Sequence, residues 1–83
     1  MVYRWRADIL KALPAHGVRP RASTNPELVR AYVSELYSIE LRMLRARLLR
    51  GEFPKRDYAG LVDAKRRQYG VLALKARDWV TAP

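Results

Sequence analysis

Thr24-Asn25-Pro26-Glu27, followed by LVRAYVSELYSIELRMLRARLLR to Arg50 and closed by Gly51-Glu52-Phe53-Pro54, is the stretch on which the fold turns. Thr24 or Asn25 can cap the exposed amides of a first turn, Pro26 needs no donor there, and Glu27 complements the positive end of the helix dipole. Gly51 can adopt the left-handed conformation that ends a helix. These signals predict one long helix over residues 25–50, and Gly51 to Pro54 is too short for anything but a tight connection. The next helix therefore runs antiparallel, with Pro54 as its first residue.

Beyond the turn, Tyr58, Leu61, Val62, Lys65, Tyr69, Leu72, Ala73, Ala76 and Val80 recur at helical spacing. They predict a third helix over 54–79, fraying after Trp79. Gly60 and Gly70 each weaken it by about 1 kcal/mol against Ala, and a break at Gly70 would carry Trp79 and Arg77 to another face. Upstream, Val2, Trp5, Ile9 and Leu13 predict a short helix over 2–13 that Pro14 brings to an end. Two prolines and Gly17 make 14–23 a loop, with Arg19 and Arg21 giving it a positive charge. The expectation is an all-α fold in a single domain spanning 1–83, a short first helix followed by a long antiparallel hairpin.

The 83 residues hold 17 Lys and Arg against 8 Asp and Glu, a formal charge of +9. A chain this short buries only about 60–65% of the surface exposed by its unfolded form, so its core is thin. Association is a common remedy. On a helical wheel the apolar residues of the second helix cover an arc of roughly 200°, more than one neighbouring helix can bury. Tyr32, Leu36, Tyr37, Leu41, Leu44 and Leu48 are accordingly the expected interface of a homodimer, two hairpins forming a helical bundle, or of a complex with another protein. Glu40 and Lys65 fall inside apolar arcs and are expected to form a buried ion pair across the hairpin, because a buried charge needs a partner.

No catalytic set is legible. The chain has no Cys and one His, which leaves no thiolate chemistry and no zinc or di-iron ligand set within one chain. His16, in the loop without an acid nearby in sequence, reads as solvent-exposed. Neither a glycine-rich phosphate loop nor GxSxG occurs, and Glu35 and Glu40 face different directions. The expectation is a protein that is not an enzyme and takes no cofactor and no metal. No apolar run approaches the roughly 20 residues of a membrane span, and Arg4, Arg6, Asp8 and Lys11 interrupt any signal-peptide core, so the expected location is cytoplasmic.

Positive charge is the functional signal. Arg42, Arg45, Arg47 and Arg50 crowd the end of the second helix, and Lys55 and Arg56 follow the turn. Cations at a helix C-terminus are worth about 0.3–1 kcal/mol each, but Lys55 and Arg56 stand at the opposite pole. On a continuous third helix Lys55, Arg66 and Arg77 are eleven residues apart and share a face with Arg67 beside them. Such a stripe can follow phosphates with salt-dependent, sequence-neutral affinity, whereas a solvated face accounts for the same residues without a ligand. The candidate nucleic-acid contacts are therefore Arg42, Arg45, Arg50, Lys55, Arg56, Arg66, Arg67 and Arg77. Trp5 and Trp79 are the aromatic residues best placed for exposed stacking, the tyrosines belonging to apolar faces. The competing expectation is an assembly subunit that docks a protein on the second helix. Binding to anionic lipid is a third, weaker because that helix is consumed by packing.

Overall fold

The amides left open at the start of a helix need acceptors, and at Asn25 they find one: its side-chain oxygen accepts from the Glu27 N–H at 2.9 Å. The Thr24 hydroxyl instead accepts from the Arg21 N–H, closing the turn that leads in. The computed structural model of the protein describes residues 1–81. It is mostly helical, with a two-stranded sheet of two residues each. The elements are β1 (Arg4–Trp5), α1 (Ala7–Ala12), α2 (Pro26–Leu49), α3 (Tyr58–Gln68) and β2 (Val80–Thr81), with 3-10 turns at Leu13–His16, Lys55–Asp57, Gly70–Ala73 and Ala76–Asp78.

α2 ends in a Schellman motif. Gly51 has φ +75°, its N–H donates to the Leu48 carbonyl and that of Glu52 to the Arg47 carbonyl, both at 3.0 Å. The chain then doubles back and α3 packs along the C-terminal half of α2. Leu44 is the buried residue of this arm, with Leu41, Leu48, Phe53, Tyr58, Leu61 and Val62 half-buried around it.

The main core lies at the other end. Ile9, Leu13, Val29, Val33, Tyr69, Val71 and Trp79 form it, and Trp5, Leu36 and Tyr37 pack against its edge. The result is a rod of 49 × 17 × 16 Å, whose radius of gyration of 15.3 Å exceeds the roughly 12 Å of a spherical domain of this length. Its base is the core around the first half of α2, and its arm is the α2–α3 hairpin.

Two predicted helices are corrected. The stretch 2–13 is not one helix: β1 pairs antiparallel with β2, Arg4 opposite Thr81 and Trp5 opposite Val80. The Tyr3 N–H donates to Ala22 O and the Arg6 N–H to Trp79 O. Backbone partners distant in sequence thus hold residues 3–6 extended, and helix begins only at Ala7. At its other end α1 stops at Ala12, before Pro14 as expected, and Pro14 sits in the first turn of the 3-10 helix at Leu13–His16, which Gly17 closes at φ +77°. Likewise the third helix does not run over 54–79. Pro54 is extended, α3 begins at Tyr58 and stops at Gln68, and Tyr69 leaves helical geometry at φ −104°, ψ 35°.

What replaces the last three turns is a wrap around α2. Trp79 is fully buried, and its indole N–H donates to the Val71 carbonyl at 3.0 Å. The Arg30 guanidinium donates to the Leu74 carbonyl at 2.8 Å and the Leu72 carbonyl at 2.7 Å. Folding back buries Trp79 and Val71 in one core with Val33 and supplies donors for the carbonyls freed from the helix. Val80 and Thr81 are therefore paired in a strand instead of fraying, while Ala82 and Pro83 lie outside the described residues.

Candidate nucleic-acid interface

The arm carries positive charge along both of its helices, from Arg42 to the turn and on to Arg67. Residues 42–67 contain nine of the seventeen Lys and Arg and three of the eight Asp and Glu, a net +6 out of +9. All the arginines and lysines proposed from sequence as nucleic-acid contacts are exposed. Their surroundings differ.

At the turn, Glu52 accepts from two arginines, Arg47 Nε at 3.1 Å and Arg50 Nε at 2.8 Å. These hydrogen bonds, that of Arg50 foremost, hold the Glu52 carboxyl below the ordinary carboxylate range and keep it charged. The Arg47 guanidinium also lies 5.6 Å from the centre of the Phe53 ring. Arg47 and Arg50 thus brace the turn. Arg42 and Arg66 have looser acid neighbours, Glu35 at 3.6 Å and Asp63 at 3.7 Å. Among the described residues Arg45, Lys55, Arg56 and Arg67 form no ion pair. Arg45 and Lys55 line one groove at the tip together with Leu48, Leu49 and Tyr58.

Arg77 does not belong to this set. It lines a cleft with Tyr3, Pro26 and Glu27 at the opposite end of α2 from the groove of Lys55, so the expected stripe of Lys55, Arg66 and Arg77 is not formed. The stacking role expected of Trp79 fails too, since that ring is fully buried. Trp5 is half-buried, its indole N–H donating to Arg21 O at 3.2 Å and its ring 6.3 Å from that of Trp79.

Between base and arm sits the charged pair anticipated from the helix faces. Lys65 Nζ donates to Glu40 Oε1 at 3.1 Å, the two side chains being 28% and 35% exposed, half-buried where full burial was expected. The Tyr69 hydroxyl donates to the other Glu40 oxygen. This hydrogen bond, with help from Lys65, outweighs desolvation and holds the Glu40 carboxyl below its ordinary range. Burial, and then the adjacent Glu40 carboxylate, push the Tyr69 hydroxyl up to about 12. His16, expected in solvent, instead stacks on Tyr69 with ring centres 4.4 Å apart. Beside it an open cleft runs past Leu36, Ile39, Glu40 and Gln68. Among the described residues no group of His, Asp and Glu is placed to hold a metal ion.

The expected dimer residues are mostly occupied within the chain. Leu44 is buried, Leu36 and Tyr37 pack against the core, Leu41 and Leu48 are half-buried in the arm, and Tyr32 alone is exposed. The wheel identified an apolar arc correctly but could not divide it between the chain's own core and a free face. The free part carries Tyr32, named from the sequence as an interface residue, together with Leu28, Ile39, Met43 and Leu49, which were not. The clamp by Arg30 was also invisible, because its acceptors lie more than forty residues away.

No helix among the described residues is long and apolar enough to cross a membrane. Comparison with protein-family models, with curated proteins and with solved structures returns no match.

Proposed function

We propose that the protein is a non-enzymatic, cytoplasmic, dimeric binding module that engages the phosphate backbone of nucleic acid with its basic arm. The observation that carries this reading is the net +6 on residues 42–67, two thirds of the whole charge on one projecting hairpin. Arg45, Lys55, Arg56 and Arg67 supply the contacts, since among the described residues no carboxylate pairs with them. Arg42 and Arg66 add to the field. Affinity arises from counterion release and is sequence-neutral, because phosphate contacts fix position without reading bases.

The test is binding to labelled single- and double-stranded DNA and RNA across a salt series. The wild-type protein is expected to bind with an affinity that falls linearly in log–log form. Changing Arg45, Lys55, Arg56 and Arg67 together to Ala reduces the duplex-DNA slope by about 0.9 for each phosphate no longer neutralised, roughly 3–4 in all. Arg77→Ala, at the far end of the rod, leaves it unchanged. Absence of binding at low salt overturns the reading.

A second reading, an assembly subunit that docks a protein, is favoured by the exposed Leu28, Tyr32, Ile39, Met43 and Leu49 of α2. Binding assays with and without substitutions at Leu28, Tyr32, Ile39 and Met43 separate the two, because the arm variants lie away from these residues.

A further inference from the structure

The exposed face of α2 is apolar along its middle and charged in a pattern that suits its own copy. At 100° per residue Leu28, Tyr32, Ile39 and Met43 fall within about 60° of one another. Glu35 and Arg42 flank this stripe on the same side, and Leu28, Glu35, Arg42 and Leu49 follow one another every seven residues, the repeat of paired helices. Within one chain Glu35 and Arg42 approach only to 3.6 Å, with side chains 67% and 70% exposed, so both are free to take other partners.

We infer that this stripe is the interface of an antiparallel homodimer. This inference specifies the dimer of the preceding section and does not depend on nucleic-acid binding. A two-fold axis passing between Ser38 and Ile39 sets Glu35 opposite the partner's Arg42, and Arg42 opposite the partner's Glu35. It sets Leu28 opposite the partner's Leu49, with Ile39 at the centre beside its own copy. A parallel pair would put the two charged flanks on opposite sides of the seam, so that Glu35 and Arg42 would not meet their opposites, and it would lay two strongly positive arms side by side. The antiparallel pair points the arms to opposite ends.

The rod exposes enough surface for a face to be covered. The chain exposes 6125 Å², whereas a compact monomer of 9.6 kDa exposes about 5,100 Å². The excess of about 1,000 Å² comes with the rod shape, and it leaves room for the roughly 800 Å² that each protomer contributes to an interface of standard size. A nucleic acid does not suit the stripe, because its centre carries no cation and Arg42 on its flank is accompanied by Glu35.

Sedimentation equilibrium without nucleic acid tests the arrangement, with circular dichroism as the check that each variant folds. The wild-type protein is expected to dimerise. Glu35→Arg alone and Arg42→Glu alone each weaken the dimer roughly tenfold or more, since each sets like charges against one another twice. An equimolar mixture of the two variants recovers wild-type affinity as a heterodimer, each positive flank meeting a negative one. A monomer at every concentration overturns the inference, as does a dimer indifferent to either reversal or a mixture that fails to recover. Arg42→Glu also removes positive charge from the arm, so the arm's salt slope is read separately, with Glu35 and Arg42 unchanged, on the Arg45, Lys55, Arg56 and Arg67 variant.

Discussion

Tyr69 shows how much one side chain joins. Its ring belongs to the core, stacks with His16, lies 5.0 Å from Tyr37 and delivers its hydroxyl to Glu40, which also holds Lys65. Opposite pH limits follow for the pair. The Glu40 carboxyl is depressed on folding, so its contribution is present above its unfolded value near 4.5 and is lost as pH falls through the lower folded value. The Tyr69 hydroxyl is raised from 10.0 to about 12, so its contribution is complete below pH 10 and disappears as pH rises towards 12. Urea denaturation over pH should show stability declining at both limits. Glu40→Gln is expected to flatten the acid limb, and Tyr69→Phe the alkaline one. An acid limb as steep in Glu40→Gln as in the wild type would count against the assignment.

At the scale of elements, the glycines separate local from tertiary requirements. Gly51 has φ +75° and terminates α2, whereas Gly60 lies inside α3 in ordinary geometry, with no atom within 4 Å of where a Cβ would stand. Gly51→Ala should therefore cost about 1–2 kcal/mol by forcing an L-residue into left-handed backbone. Gly60→Ala should add roughly 0.5–1 kcal/mol by favouring the helix. Chemical denaturation of the two variants gives shifts of opposite sign if the hairpin is built this way. The Asn25 cap and the Gly51 terminator were readable in the sequence because each acts on amides and carbonyls within four residues. The end of α3 at Gln68 was not. Gly70 does not need positive φ, and the contacts that hold the bend, Trp79 on Val71 and Arg30 on Leu72 and Leu74, join separate segments.

For the whole molecule, the division into base and arm has a dynamic consequence. The base buries seven core residues around Val33, while the arm has Leu44 as its buried residue and otherwise half-buried side chains. Local stability follows buried apolar contact. Hydrogen exchange should find the amides of α3 opening at lower free energy than those of α2 between Val29 and Leu36, and equal protection in both would contradict a base-centred core. A looser arm is compatible with the proposed use, because contact with a phosphate backbone depends on charge density more than on a fixed side-chain geometry.

By itself the sequence determined the features with causes a few residues long: α2 with its cap and stop, the antiparallel return, and the basic character of the hairpin tip. It also pointed to a pairing of Glu40 with Lys65 from their places in apolar arcs, and the two meet, half-buried instead of buried. Only the tertiary structure decided where the chain leaves helix at both ends. A hydrophobic period of 3.6 over residues 2–13 and 54–79 is satisfied equally by a helix and by segments that bury the same residues in another way. Burial of Trp79 and pairing of Arg4 with Thr81 chose the second. The same limit governed the site: a wheel shows which residues of α2 are apolar, and packing alone shows which of them the chain has already covered.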